Sequence, residues 1–126
     1  MKNIILVLFM SIISLASCQS NKQESNKTVN KVISSKEFKT LLSESTDYQL
    51  IDVRTKSEYA EGTIKDAINL DILDGTFEKA LKNLKKEVPV FVFCAKGGRS
   101  GKAAKILNEK GFNMVYDLEG GYANWP

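Results

Sequence analysis

The chain has 126 residues, a formal net charge of +3 and no histidine. That length suits one domain, and so small and interspersed a charge offers no basic stripe for nucleic acid or for anionic lipid. Without histidine there can be no Cys–His or Ser–His nucleophile pair, no histidine-containing zinc site and no imidazole proton shuttle, and neither a metal nor another cofactor is expected.

The first segment stands apart from the rest. Lys2 precedes an apolar run from Ile4 to Ile13 broken only by Ser11, and Leu15-Ala16-Ser17-Cys18 follows. This order of charge, apolar run and small residues is too brief for a permanent membrane span and reads as a signal peptide over residues 1–17. Leu-Ala-Ser-Cys resembles the lipobox of bacterial lipoproteins. The resemblance implies cleavage before Cys18 and a diacylglycerol on its thiol; the alternative is an ordinary signal peptide with an incidental cysteine. Each buried methylene contributes about 0.8 kcal/mol, so several acyl chains would anchor the protein firmly. The expected location is therefore the cell envelope, outside the cytoplasm, with the membrane as a partner through the N-terminal lipid. Cys18 and the polar residues after it, 18–30, are expected to be a lipidated start and a flexible tether. The folded domain is expected over 31–126.

Within that domain the segments alternate. Val32-Ile33 is a short apolar start. Ser34 and Glu37 make a capping box for a helix whose face is Phe38, Leu41 and Leu42. Tyr48 to Val53 reads as a strand, Ser57 as the cap of one helical turn closed by Gly62, and Ala67 to Leu70 as a short strand. Phe77, Ala80, Leu81 and Leu84 predict a helix over 76–86. Val88 to Phe93 is a continuous apolar run, as in a strand covered on both faces. A helix is predicted over Ser100 to Lys110, a strand over Met114 to Tyr116, and a last helical scrap near Trp125. Such alternation predicts an α/β fold with a mostly parallel central sheet and helices on both faces.

Chemistry gathers in the loop Cys94-Ala95-Lys96-Gly97-Gly98-Arg99-Ser100, at the carboxyl end of the buried strand, where open α/β sheets bind ligands. With Cys18 lipidated, Cys94 is the one free thiol. The paired glycines let the backbone turn several N–H groups toward one point, and the positive end of the next helix faces the same point. Lys96 adds a mobile charge and Arg99 a planar fork of donors. All of this favours thiolate over thiol, and a persulfide anion over its protonated form. Residues 95–100 are thus candidates for binding substrate around Cys94; a buried structural cysteine is the alternative.

The loop follows the C-x-x-G-x-R-S pattern and resembles the rhodanese family of sulfurtransferases. Ile51-Asp52-Val53-Arg54, Glu58-Tyr59, Gly62 to Asn69 and Leu118 to Trp125 match that family in order and spacing, over about residues 30 to 126. The resemblance implies a rhodanese-like domain in which Cys94 accepts a sulfane sulfur, from a donor such as thiosulfate or a persulfide, and passes it to a thiol or to cyanide. Thr63 stands where members often carry His. Ala95 stands where many thiosulfate-using members carry a cation, with Lys96 placed to compensate.

Asp52, Arg54 and Glu58 are read as supports, with Arg54 and Glu58 forming an ion pair and Asp52 accepting backbone hydrogen bonds. Two further functions share these residues: a carrier or redox sensor that transfers sulfur once, and a phosphatase or arsenate reductase. The C-x4-R spacing is one residue tighter than the C-x5-R loop of those enzymes, which favours sulfur.

Overall fold

The computed structural model describes residues 28–126, so the signal peptide, Cys18 and most of the tether lie outside the described residues. Five strands make one parallel sheet: β1 (Val29–Ile33), β2 (Gln49–Asp52), β3 (Ile68–Asn69), β4 (Val90–Phe93) and β5 (Met114–Leu118), in the order β1-β5-β4-β2-β3. Four helices connect them: α1 (Ser35–Glu44), α2 (Lys56–Ala60), α3 (Thr76–Ala80) and α4 (Gly98–Glu109).

Both faces of the sheet are covered, and alternation along the strands explains how. On one face Ile51, Val90, Val92 and Val115 pack with Phe77 of α3 and with Ala103, Ala104 and Leu107 of α4. On the other, Leu50, Phe91, Phe93 and Leu118 pack with Phe38 of α1. Phe38 meets Phe91 edge-on at 5.1 Å and Trp125 at 6.0 Å, the arrangement that aromatic quadrupoles favour. The central strand β4 is buried at every position, as its unbroken apolar run predicts.

Several boundaries differ from those read in the sequence, each for a local reason. β1 begins at Val29, inside the segment assigned to the tether, because its backbone pairs with β5 from Val29↔Met114 onward. Pairing rather than apolar pattern extends this edge strand, since only Ile33 is buried in it. Thr55, not Ser57, caps α2, and it does so through a reciprocal capping box with Glu58. The helix predicted over 76–86 is α-helical only to Ala80, continues as a 3₁₀ turn over Leu81–Asn83 and is extended at Leu84. Gln49 explains the stop: its side chain accepts from Lys85 N and donates to Lys85 O, both at 2.8 Å, and so holds that residue against the sheet. α4 starts at Gly98, earlier than predicted, after Gly97 takes the left-handed conformation at φ +107°.

Truncating Phe38 to Ala should cost about 3–5 kcal/mol, because its aromatic contacts are on the buried face and cannot close over the cavity. Urea unfolding of the folded domain checks this; a loss below about 1 kcal/mol would contradict the packing described.

Candidate active site

β2 and β4 run side by side in register, Asp52 opposite Phe93, so the residues following them emerge at the same edge of the sheet. Cys94 follows β4 directly and is buried. Its carbonyl accepts from Tyr122 N at 2.7 Å, and the Ala95 carbonyl from Ala123 N at 3.1 Å. The C-terminal segment is thereby fastened under the loop.

The sulfur sits in a ring of donors. Gly97 N–H donates to Cys94 Sγ at 3.1 Å, while Ser100 Oγ accepts from the Cys94 thiol at 3.4 Å and donates to Gly97 O at 3.2 Å. Burial pushes the Cys94 thiol up, but the Ser100 hydroxyl and the backbone N–H groups of Ser100, Gly97 and Lys96 outweigh it and leave the thiol below its ordinary value. Hydrogen bonding to the charged form, rather than a neighbouring cation, thus makes the thiolate accessible. Lys96 contributes its N–H to the ring, while its side chain is exposed. Gly98 opens α4, and Ala95 is partly buried beside the sulfur-bearing residue.

Arg99 has a partner that the sequence does not suggest. Its fork is occupied by Glu58, with Nη1 to Oε2 at 2.7 Å and Nη2 to Oε1 at 2.8 Å. A planar guanidinium and a carboxylate fit as a bidentate pair, so this partner wins over an open cradle. Arg99 is still close enough for Cys94 to draw on its charge. The expected Arg54–Glu58 pair is likewise corrected. Arg54 pairs with Asp52 at 2.7 Å, donates to Gly62 O at 2.6 Å, and lies over the Tyr122 ring at 4.4 Å. Asp52 does accept a backbone hydrogen bond, from Arg54 N at 3.0 Å. Both residues are buried away from solvent and serve as supports.

Two side chains without an assigned role in the sequence complete this support. Thr63 Oγ1 donates to Asp52 Oδ2 at 2.8 Å, and Asn69 Nδ2 donates to Asp52 O at 3.1 Å and Arg54 O at 2.8 Å. Asp117 of β5, apart from this support, is buried on the α4 face near Ser100. A cavity of about 330 Å³ opens beside α2, lined by Lys56, Tyr59, Asn69, Asp71, Asp74 and Thr76; no residue of the 94–100 loop lines it. Among the described residues there is no group of three or more His, Cys, Asp or Glu placed to hold a metal, and no helix is long and apolar enough to cross a membrane.

Comparison with known proteins gives consistent matches. The rhodanese-like domain family profile matches residues 34–126. A sulfurtransferase of Allochromatium vinosum is 31% identical over 93 residues, covering 74% of this chain and 85% of that protein. A tRNA uridine(34) hydroxylase of Pelagibacter ubique is 38% identical over 97 residues, covering 76% of this chain but only 32% of that protein. The solved rhodanese-like domain protein of Staphylococcus aureus is 33% identical with a TM-score of 0.68, covering 76% of this chain and 91% of that one.

Glu58 supplies a testable consequence. The hydrogen bond from Arg99, opposed by burial and aided by Thr55, lowers its carboxyl from 4.5 to about 2. A depressed acid contributes stability that is complete above its unfolded value and lost as pH falls through the folded one. Unfolding midpoints of Glu58→Gln should therefore be lower than those of the parent at pH 7, and the gap should narrow between pH 4.5 and 2. A gap that stays constant across that range would rule out the pair as its source.

Proposed function

Because the chain belongs to the rhodanese-like domain family, we propose that it is a sulfurtransferase in which Cys94 carries the transferred sulfur as a persulfide. The observation that carries this reading is a buried sulfur that accepts from Gly97 N–H, lies 3.4 Å from the Ser100 hydroxyl and is held below the ordinary thiol value by these groups and the backbone of its loop. The named sulfurtransferase of Allochromatium vinosum supports it, being matched over most of its own length. The hydroxylase match spans about a third of that protein, so its hydroxylation stays with that protein.

The reaction has two halves. The Cys94 thiolate attacks the outer sulfur of a donor such as thiosulfate; a sulfur–sulfur bond forms, and the donor's own bond breaks with its electron pair leaving on sulfite. The acceptor, a thiolate or cyanide, then attacks the outer sulfur of the persulfide and releases Cys94 as thiolate. Covalent catalysis of this kind gives ping-pong kinetics. Donors fixed in place before reaction stabilise the anion at each stage without reorganisation. The pairing of Arg99 with Glu58 also favours sulfur over phosphate, because no free guanidinium is left to close around a phosphate group.

Thiosulfate treatment of the purified protein should add the mass of one sulfur atom on the Cys94 peptide, and cyanide should remove it with formation of thiocyanate. Cys94→Ser should lose both. Repeated turnover with small donors and acceptors separates an enzyme from a carrier that transfers once, and full transfer by Cys94→Ser would sink the proposal.

We further propose that Cys18 is lipidated and holds the domain at the cell envelope, outside the cytoplasm; the Leu15-Ala16-Ser17-Cys18 order supports this. In the native host, labelled fatty acid should enter the protein and the protein should fractionate with membranes, both being lost in Cys18→Ala. Labelling that persists in that variant would overturn it.

A further inference from the structure

The cavity beside α2 is built from the start of that helix, the end of β3 and the turn leading into α3. It opens at the same edge of the sheet as Cys94. Asn69 of β3 stands opposite Asp52 of β2, and Asp52 opposite Phe93 of β4. Two strand spacings, about 10 Å, therefore separate Asn69 from Phe93. Asp71 and Cys94 follow these two residues at the carboxyl edge. The hydrogens of the lining groups are mostly spent. Asn69 Nδ2 donates to Asp52 O at 3.1 Å and to Arg54 O at 2.8 Å, which leaves its oxygen to accept. The Tyr59 hydroxyl donates to Ala67 O at 2.9 Å and is likewise left an acceptor, beside an aromatic ring. Asp71 is 7% exposed; its Oδ1 accepts from Leu73 N at 2.8 Å, while its Oδ2 has no partner among the described residues. Asp74 Oδ1 accepts from Thr76 N at 2.8 Å. What remains to donate is the Thr76 hydroxyl and the exposed ammonium of Lys56, which makes no ion pair among the described residues. A nearly buried carboxylate oxygen without a donor is costly, so a ligand that brings hydrogens and positive charge fits this lining.

We propose that this cavity is a subsite for a protonated primary amine, and that the sulfur acceptor is a small thiol carrying one. An ammonium group offers three hydrogens and no acceptor. Asp71 Oδ2 supplies the opposite charge, Asn69 Oδ1 and the Tyr59 oxygen supply neutral acceptors, and the Tyr59 ring favours a cation over its face. A hard divalent metal would ask for six or more oxygens, and among the described residues no three carboxylates gather here. Two carboxylates against one lysine leave the cavity negative, so it favours a cationic acceptor and disfavours an anionic donor such as thiosulfate. The inference rests on Cys94 carrying sulfur. With its amine held, the acceptor thiolate attacks the outer sulfur of the Cys94 persulfide. A new sulfur–sulfur bond forms, the bond to Cys94 breaks, and its electron pair returns to Cys94 as thiolate. The product leaves as an amine-bearing persulfide. A persulfide, a two-carbon aminothiol and the Asp71 side chain laid end to end exceed the separation of the two strands.

The first arm of the test needs no sulfur chemistry. In the isotope-labelled full chain, ethanolamine should shift the nuclear magnetic resonances of the Asn69 side-chain amide and the Leu73 N–H. Ethylene glycol should not, and Asp71→Asn should abolish the ethanolamine shift. The second arm times discharge of the Cys94 persulfide by cysteamine and by 2-mercaptoethanol. Asp71→Asn keeps an oxygen for Leu73 N and removes the charge. It should slow cysteamine about tenfold, the worth of one hydrogen bond to a charged group, and leave 2-mercaptoethanol within about twofold. Lys56→Met changes an exposed side chain, which guards against a folding defect, and removes the cavity's own cation. It should speed cysteamine about two- to threefold and leave 2-mercaptoethanol unchanged. No ethanolamine shift at Asn69 and Leu73, or an equal effect of Asp71→Asn on both thiols, would overturn the proposal. Ethanolamine bound through Asp71 without any persulfide forming at Cys94 would uphold the amine site and overturn the sulfurtransferase reading, so the two failures are distinguishable.

Discussion

Gly121 is the point on which the site depends. Its backbone passes so close beneath the loop that a Cβ there would lie 2.5 Å from the Cys94 carbonyl oxygen and 2.6 Å from the carbonyl of Ala95. Its φ of +66° also lies in the region where side chains are disfavoured. This contact brings Tyr122 N and Ala123 N onto the two carbonyls, and so fixes the direction in which the chain leaves β4. From there the 94–100 loop turns with Gly97 N–H toward the sulfur. Tyr122 then lies over Arg54, linking the underside of the loop to the Asp52–Arg54 support. The surroundings of the sulfur are thus set by backbone packing, and the charged side chains play a secondary part.

That order of importance explains why Lys96 and Arg99 matter less than their charges suggest. A mobile ammonium in solvent is screened and loses entropy when held, whereas N–H groups in a packed loop are already ordered. Arg99 is better understood as a brace. Glu58 is locked at the start of α2 by Thr55, and Arg99 at the start of α4 grips it with both nitrogens. The two helices that flank the mouth are thereby joined across the carboxyl edge of the sheet.

Much of this was legible in the sequence. The continuous apolar run of β4 and the glycines after it placed Cys94 at a strand end, and the alternation of segments gave the parallel sheet. The pairings among charged side chains were not legible, because Arg54 has Asp52 and Glu58 nearby in sequence and only three-dimensional position separates them. Arg99 is paired with a residue forty-one positions earlier, which spacing alone does not reveal. The end of α3 depends on Gln49, equally remote. Asp117 was missed for another reason. The sequence predicts a strand only over Met114 to Tyr116, yet β5 continues to Leu118 with Asp117 facing inward. The signal was present in the phase: two residues after the buried Val115, the same face must recur.

Asp52 and Asp117 show how partners rather than burial decide what a carboxyl does. They are 0% and 3% exposed, at the carboxyl ends of two strands of one sheet. Asp52 receives Arg54 N, Nε and Nη2 and the Thr63 hydroxyl, a shell that fills its lone pairs and pairs its charge. Asp117 has an empty Oδ1 and one hydroxyl neighbour. Since its acidity is weakened on folding, the stability it contributes is complete below 3.8 and is lost as pH rises through about 6. A strand position chosen for stability alone would carry Val or Ile there. Burial with no partner at Oδ1 thus holds this acid toward its neutral form, whereas Asp52, more deeply buried, is fully matched by donors.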